Sequence, residues 1–245
     1  MAKIFITYKY GDDQVWQGLD SKYWAEETDK RTGLVRKETK ATGRAYANFL
    51  EEIIGKENIL KGEKQDESLK GKSENQIWEL LKPRVHDSSV TLVIISPNMK
   101  DNYEPESEQY MPNEIRYSLC EYDRGELTSA TNALIGVITP NRAGNYEYIY
   151  EKSNCPHCGH IRMLNKQTNP HLFGILKGNI FNHKNGNKST CQGLYCNSII
   201  YNGDHSYLHL VTLEEFIKDG KHQDHIDKAL KIKENKDSYN VEKTM

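Results

Sequence analysis

The stretch SSVTLVIISPNM at positions 88–99, followed by PNEIRYSL at 112–119, decides how this chain folds. Residues 90–95 make a nearly continuous apolar run rich in β-branched side chains, the pattern of a strand covered on both faces of a parallel sheet. Pro112 suits the first turn of a helix, and Ile115, Leu119 and Tyr122 recur at helical spacing. Ligands of open parallel sheets bind outside the carboxyl ends of the strands. Glu114, at the opening of that helix, is therefore expected where a reacting group would sit. The plainer reading is a carboxylate that favours the helix N-terminus through the macrodipole.

Working outward, residues 3–8 (KIFITY) read as the first strand, with Gly11, Asp12 and Asp13 supplying turn and cap chemistry after it. A short helix is expected over 15–25, a long polar loop over 26–43, and a helix over 45–54 that Gly55 ends. An edge strand is expected at 58–60. The Ser73–Gln76 capping box opens a helix over 73–85 that Pro83 should kink or end. Residues 133–139 and 207–211 read as further strands, and a Thr212–Glu215 capping box opens the last helical region. Strands and helices alternating at this spacing predict a doubly wound α/β sheet. The expected organisation is a core over 1–140, an insertion over 141–205, a return to the core over 206–235, and a frayed tail over 236–245.

A hydrophobic content of 36% and a mean hydropathy of -0.80 over 245 residues predict a modest core with long polar loops. A formal charge of -2 gives no global basic field, which disfavours nucleic-acid binding. The N-terminal apolar run is too short for a signal peptide. No stretch approaches the roughly 18 apolar residues of a membrane span, so a cytoplasmic location is expected.

Four of the five cysteines fall in the 141–205 stretch, which in a reducing compartment points to metal rather than disulfides. CPHCG at 155–159 has the spacing of a zinc knuckle, with Gly159 permitting the turn. Cys191 and Cys196 return after 32 intervening residues. Cys155, Cys158, Cys191 and Cys196 thus suit a closed, structural four-thiolate zinc site. The second pair is wider than the usual two-residue gap, which leaves His157, His160 or His183 as substitutes for one ligand. A redox pair and free thiols are the alternatives. Cys120 reads as a small buried residue.

Taken together, KIFITYKYGD at the start, DESL at 66–69, HDSSVTLVIISPNM at the central strand and NEIRYSL on the next helix resemble the TIR-like proteins of the Thoeris antiphage defence system. The resemblance covers roughly residues 1–140 and 206–230. It implies a flavodoxin-like TIR fold and an enzyme that cleaves NAD, releases nicotinamide and makes a cyclic ADP-ribose-type signal. That signal would activate a partner effector in infected cells, after a phage-derived trigger. It implies Glu114 as the catalytic carboxylate. By their place at the end of the first strand, Tyr8 and Tyr10 could stack on nicotinamide or adenine or simply cover the sheet edge, and Asp12 could orient a ribose hydroxyl or cap the next helix; Asp66 and Ser68, which match the family's Asp-x-Ser-Leu, would line the ribose side of the cleft. Self-association is compatible with such a fold. The chain departs from the family pattern in its long 100–112 segment and in the cysteine insertion. A catalytically inactive TIR-like interaction module is the main alternative, followed by a zinc-ribbon nucleic-acid binder using Lys177, Lys184 and Lys188.

Overall fold

The computed structural model describes residues 1–28, 32, 34–61, 74–121, 123–124, 127–128, 130–152, 155, 157, 162–165, 167–193, 196 and 198–244. Five parallel strands form the central sheet: β1 (Lys3–Thr7), β2 (Ile59–Leu60), β3 (Val90–Ile95), β4 (Ala133–Ile138) and β5 (Leu208–Thr212). Their spatial order is 2-1-3-4-5 with every pairing parallel, the flavodoxin-like arrangement. All six residues of β3 and of β4 are buried, so the unbroken apolar runs are the centre of a two-sided sheet.

Helices α1 (Gly43–Ile54), α2 (Glu74–His86), α3 (Tyr110–Leu119), α4 (Gly174–Gly178), α5 (Leu213–Ile217) and α6 (His222–Glu234) pack around it. Side chains alternate across a strand. Ile4, Ile6, Leu92, Ile94, Ile135 and Val137 accordingly meet Tyr46 and Leu50 of α1, Phe216 of α5 and Ile226 of α6 on one face. Val93, Ile95, Leu134 and Ile138 meet Ile115 and Leu119 of α3 on the other. Phe5 points to that second side as well, against Leu81 and Val85 of α2.

Several expectations are corrected. Residues 15–25 hold only a single 3-10 turn, Ser21–Tyr23, instead of a helix. Tertiary bonds hold this stretch as coil: Val15 bridges to Asn141, and the Gln17 amide is tied to both main-chain groups of Ala41. Pro83 lies inside α2, which runs on to His86. Ser73 lies outside the described residues. Glu114 stands in the second turn of α3, because the helix begins at Tyr110. Cys120 is the half-buried C-cap of that helix.

The stretch after 140 is more integral than its polar composition predicts. Ile149, Leu172, Phe173, Ile175, Leu176 and Ile180 join the core on the α3 face. The tail docks too. Tyr239 is buried, Asn182 Nδ2 donates to Asn240 O at 2.8 Å, and Asn179 Nδ2 donates to Glu242 O at 2.9 Å. Side-chain amides pair with main chain there, a stabilisation that hydropathy does not register.

Candidate functional site

Strand order reverses between β1 and β3, and Glu114 stands at that crevice. Thr7 is the last residue of β1 and shares the α3 side of the sheet with Phe5 by the period of two. On α3, Met111, Glu114, Ile115 and Ser118 fall on the buried side at helical spacing. The two elements meet where Thr7 Oγ1 donates to Glu114 Oε2 at 2.5 Å. Both residues are buried, Glu114 with 8% of its surface exposed. A hydroxyl on one carboxylate oxygen fixes the rotamer of the acid at the carboxyl end of the sheet.

The loop after β1 is built around Asp12, also buried. Its Oδ1 accepts from Gln14 N at 2.9 Å and its Oδ2 from Asn98 N at 2.7 Å. One carboxylate therefore clamps the β1 loop to the β3 loop across the crevice. The same loop covers the start of α1: Gly43 N donates to Asp12 O and Arg44 N to Tyr10 O. A Cβ on Gly43 would lie 2.1 Å from Lys9 O, so only glycine allows this approach. The Tyr8 hydroxyl accepts from the buried Arg44 guanidinium at 2.5 Å, and Tyr10 is exposed.

The segment after β4 closes over the end of β3. Tyr148 Oη lies 2.7 Å from Ile95 O and 2.8 Å from Thr139 O, and burial drives its pKa well above the usual phenol value. His171 Nδ1 lies 2.6 Å from Pro97 O. Glu106 joins Lys100 at 2.6 Å and accepts from Gly174 N at 2.7 Å, which ties the β3–α3 loop to α4.

Glu114 meets Thr7 at the end of β1 and Asp12 ties the following loop to the β3 loop, whereas Tyr8 packs on the opposite, α1 face of the sheet and Tyr10 is exposed on the loop. Asp66 and Ser68 lie outside the described residues. Thr7, Asn98, Arg44 and His171 escape a reading of the sequence. Thr7 alone had a local signal, as a polar residue ending an apolar strand.

The second chemical centre is the cysteine cluster. Asn187–Thr190 pairs antiparallel with Ile199–Asn202, and Cys191 N continues the ladder to Ser198 O. Cys191 and Cys196 flank the tip of this hairpin. There Gly193 N donates to Cys191 Sγ at 3.4 Å and Cys196 N to Gly193 O. Cys155 approaches from the other side. A Cβ on Gly193 would stand 2.9 Å from its sulfur, so glycine makes room for it. The sulfurs of Cys155, Cys191 and Cys196 all lie within 4.8 Å of one another, close enough to hold a metal ion. The Cys155–Cys191 separation is 3.7 Å. Tetrahedral coordination at a zinc–sulfur distance of about 2.3 Å sets sulfur pairs about 3.8 Å apart. Hydrogen bonding from Ser198, then from the neighbouring thiols, lowers the Cys196 pKa to about 6, which favours the metal-binding thiolate. Cys158 and His160 lie outside the described residues. His157 and His183 are not part of the cluster.

Fold and sites together define an α/β protein with an all-parallel five-stranded sheet, a buried carboxylate at its switch point and a thiol cluster able to hold metal. Among the described residues no helix is long and apolar enough to cross a membrane. No protein-family model matches the chain. No solved structure matches it either.

Proposed function

We propose that this protein is a TIR-like enzyme that cleaves NAD, with Glu114 as its catalytic carboxylate. The observation that carries the reading is the buried Thr7–Glu114 pair at the carboxyl ends of β1 and β3. Breaking the bond between nicotinamide and ribose sends the electron pair to the departing ring, which leaves neutral and needs no proton. Positive charge then develops at the anomeric carbon, and a fixed carboxylate stabilises it. Capture of that carbon by water gives ADP-ribose. Capture by a hydroxyl of the adenosine ribose gives a cyclic product, the signal through which a Thoeris-type effector would respond after a phage-derived trigger. Tyr10 offers ring surface on the loop beside the crevice, and the Asp12 clamp holds its two rims together.

The cysteine cluster is, in this reading, a structural zinc site completed by Cys158, in keeping with a reducing, cytoplasmic setting. The test incubates NAD with lysates of phage-infected cells expressing wild type or Glu114→Gln and follows nicotinamide and ADP-ribose-type products by mass spectrometry. Product in wild type alone supports the enzyme, and its mass separates cyclic from linear. No product in either, with folded and metal-loaded protein, overturns the catalytic reading and favours an interaction module.

A further inference from the structure

A separate feature lies beside edge strand β5, which β4 separates from β3 and the switch point. Two open concavities, of about 280 and 360 Å³, share Asp204 in their linings. The smaller is walled by Tyr150, Phe181, Leu210 and Ile232, with His205 and Lys228 at its polar side. The larger is mostly polar, lined by Asn185, Asn187, Asn202, Asn235 and Ser238 together with the Tyr239 ring. An aromatic and a hydrogen-bonding concavity bordering one residue, Asp204, suit a ligand of the same two-part chemistry.

Phe181 supplies the aromatic surface of the smaller concavity. Phe181 adopts φ 52°, a left-handed backbone that bulky residues rarely take. Its N–H donates to Ser206 Oγ at 2.9 Å, and Tyr201 stacks against its ring at 4.1 Å and 7°. Hydrogen-bonding edges are also at hand. His205 Nδ1 lies 2.7 Å from Gly203 O, so that nitrogen carries the proton and Nε2 is the acceptor of the neutral ring, which burial favours. Leu208 N donates outward to Asn179 O, and the period of two turns Leu210 N the same way, off the sheet edge. Lys228, which lines the smaller concavity, lies 3.3 Å from Asp204, so that lysine is matched by a carboxylate.

We propose that this surface binds a nucleoside, with the base in the concavity of Phe181 and the ribose diol on the Asp204 carboxylate among the asparagines. Carboxylates hold ribose diols in this way elsewhere. The site does not depend on the reading of Glu114. It is tested by calorimetric titration of the whole chain with adenosine, guanosine, cytidine and uridine. At least one should bind, with its 2′,3′-dideoxy analogue at least about tenfold weaker, the loss expected for a hydrogen bond to a charged group. Asp204→Asn should erase that preference for the diol, while Glu114→Gln should leave binding unchanged. Asp204 is more than half exposed in its side chain, so the variant keeps the fold, and the dideoxy comparison needs no variant at all. The proposal is overturned if none of the four binds at about 1 mM, the weak end of specific affinities. It is equally overturned if Asp204→Asn keeps the diol preference, or if Glu114→Gln abolishes binding.

Discussion

Thr7 Oγ1 and Glu114 Oε2 lie 2.5 Å apart across a sequence separation of 107 residues, and this contact joins the end of β1 to the middle of α3. A buried carboxylate with a dedicated hydroxyl donor is held in one orientation. In the proposed NAD cleavage, the acid's orientation would then depend on Thr7.

Thr7→Val should therefore lower the rate of nicotinamide release by about 10- to 100-fold with little change in KM, since a hydrogen bond to a charged group is worth about 1.5–3 kcal/mol. Thr7→Ser should restore most of it. Glu114→Gln should abolish release. Single-turnover assays on the three variants separate positioning from chemistry, because a merely structural Thr7 would leave the rate per folded molecule unchanged.

Removing the Asp12 clamp should loosen two loops at once. Asp12→Ala deprives the amides of Gln14 and Asn98 of their acceptor, and a destabilisation of about 2 kcal/mol is expected. Hydrogen exchange should report the loss as faster exchange at the Asn98 amide. An unchanged rate there would refute the clamp.

Gly43→Ala tests the close approach of the β1 loop to α1. The added methyl would meet Lys9 O at 2.1 Å, and backbone cannot yield as a side-chain tip can. A loss of about 1–3 kcal/mol in urea unfolding is expected, although alanine is the better helix former.

Acid should weaken the fold through His209. Burial, then Lys228 and His225, lowers its pKa from 6.5 to about 4, and its Nε2 lies 2.9 Å from His225 Nδ1. Between those two values the unfolded chain binds a proton that the folded chain refuses. The stabilising term is therefore complete above about pH 6.5 and falls as pH drops toward 4. A shift of that size corresponds to about 3 kcal/mol. Melting temperature followed over pH 4–7 should slope less steeply in His209→Gln than in wild type.

Metal analysis should find one zinc per chain. Cys155→Ser or Cys191→Ser should each lose it, and chelation should lower the melting temperature of wild type but not of these variants. Equal melting temperatures with and without chelator in wild type would contradict a structural ion.

Much of the sheet was legible locally. The runs at 90–95 and 133–138 are buried at every position, so their hydrophobicity alone declared them central. The Thr212–Glu215 capping box is complete in both directions, as its spacing requires. Segment 15–25 misled because its aromatic residues imitate a helical stripe. What holds it is the Gln17 amide on Ala41, a partner 24 residues away. The tail misled for a similar reason: its polarity suggests fraying, yet Asn179 and Asn182 bind its main chain. The cysteine spacing suggested that distant thiols gather, and folding brings Cys155 close enough to Cys191 and Cys196 for the three to hold a metal ion.

The amino-acid sequence by itself determined the alternation of strands and helices, the strands at the centre of the sheet and the candidate acid Glu114, because burial periodicity and turn chemistry are written within a dozen residues. Only the tertiary structure decided that Thr7 holds that acid, that Asp12 ties two loops, and that the stretch after 140 covers a face of the sheet. Each of these is a contact between residues far apart in the chain, set by which surfaces meet when the strands pair, and no local pattern encodes the partner.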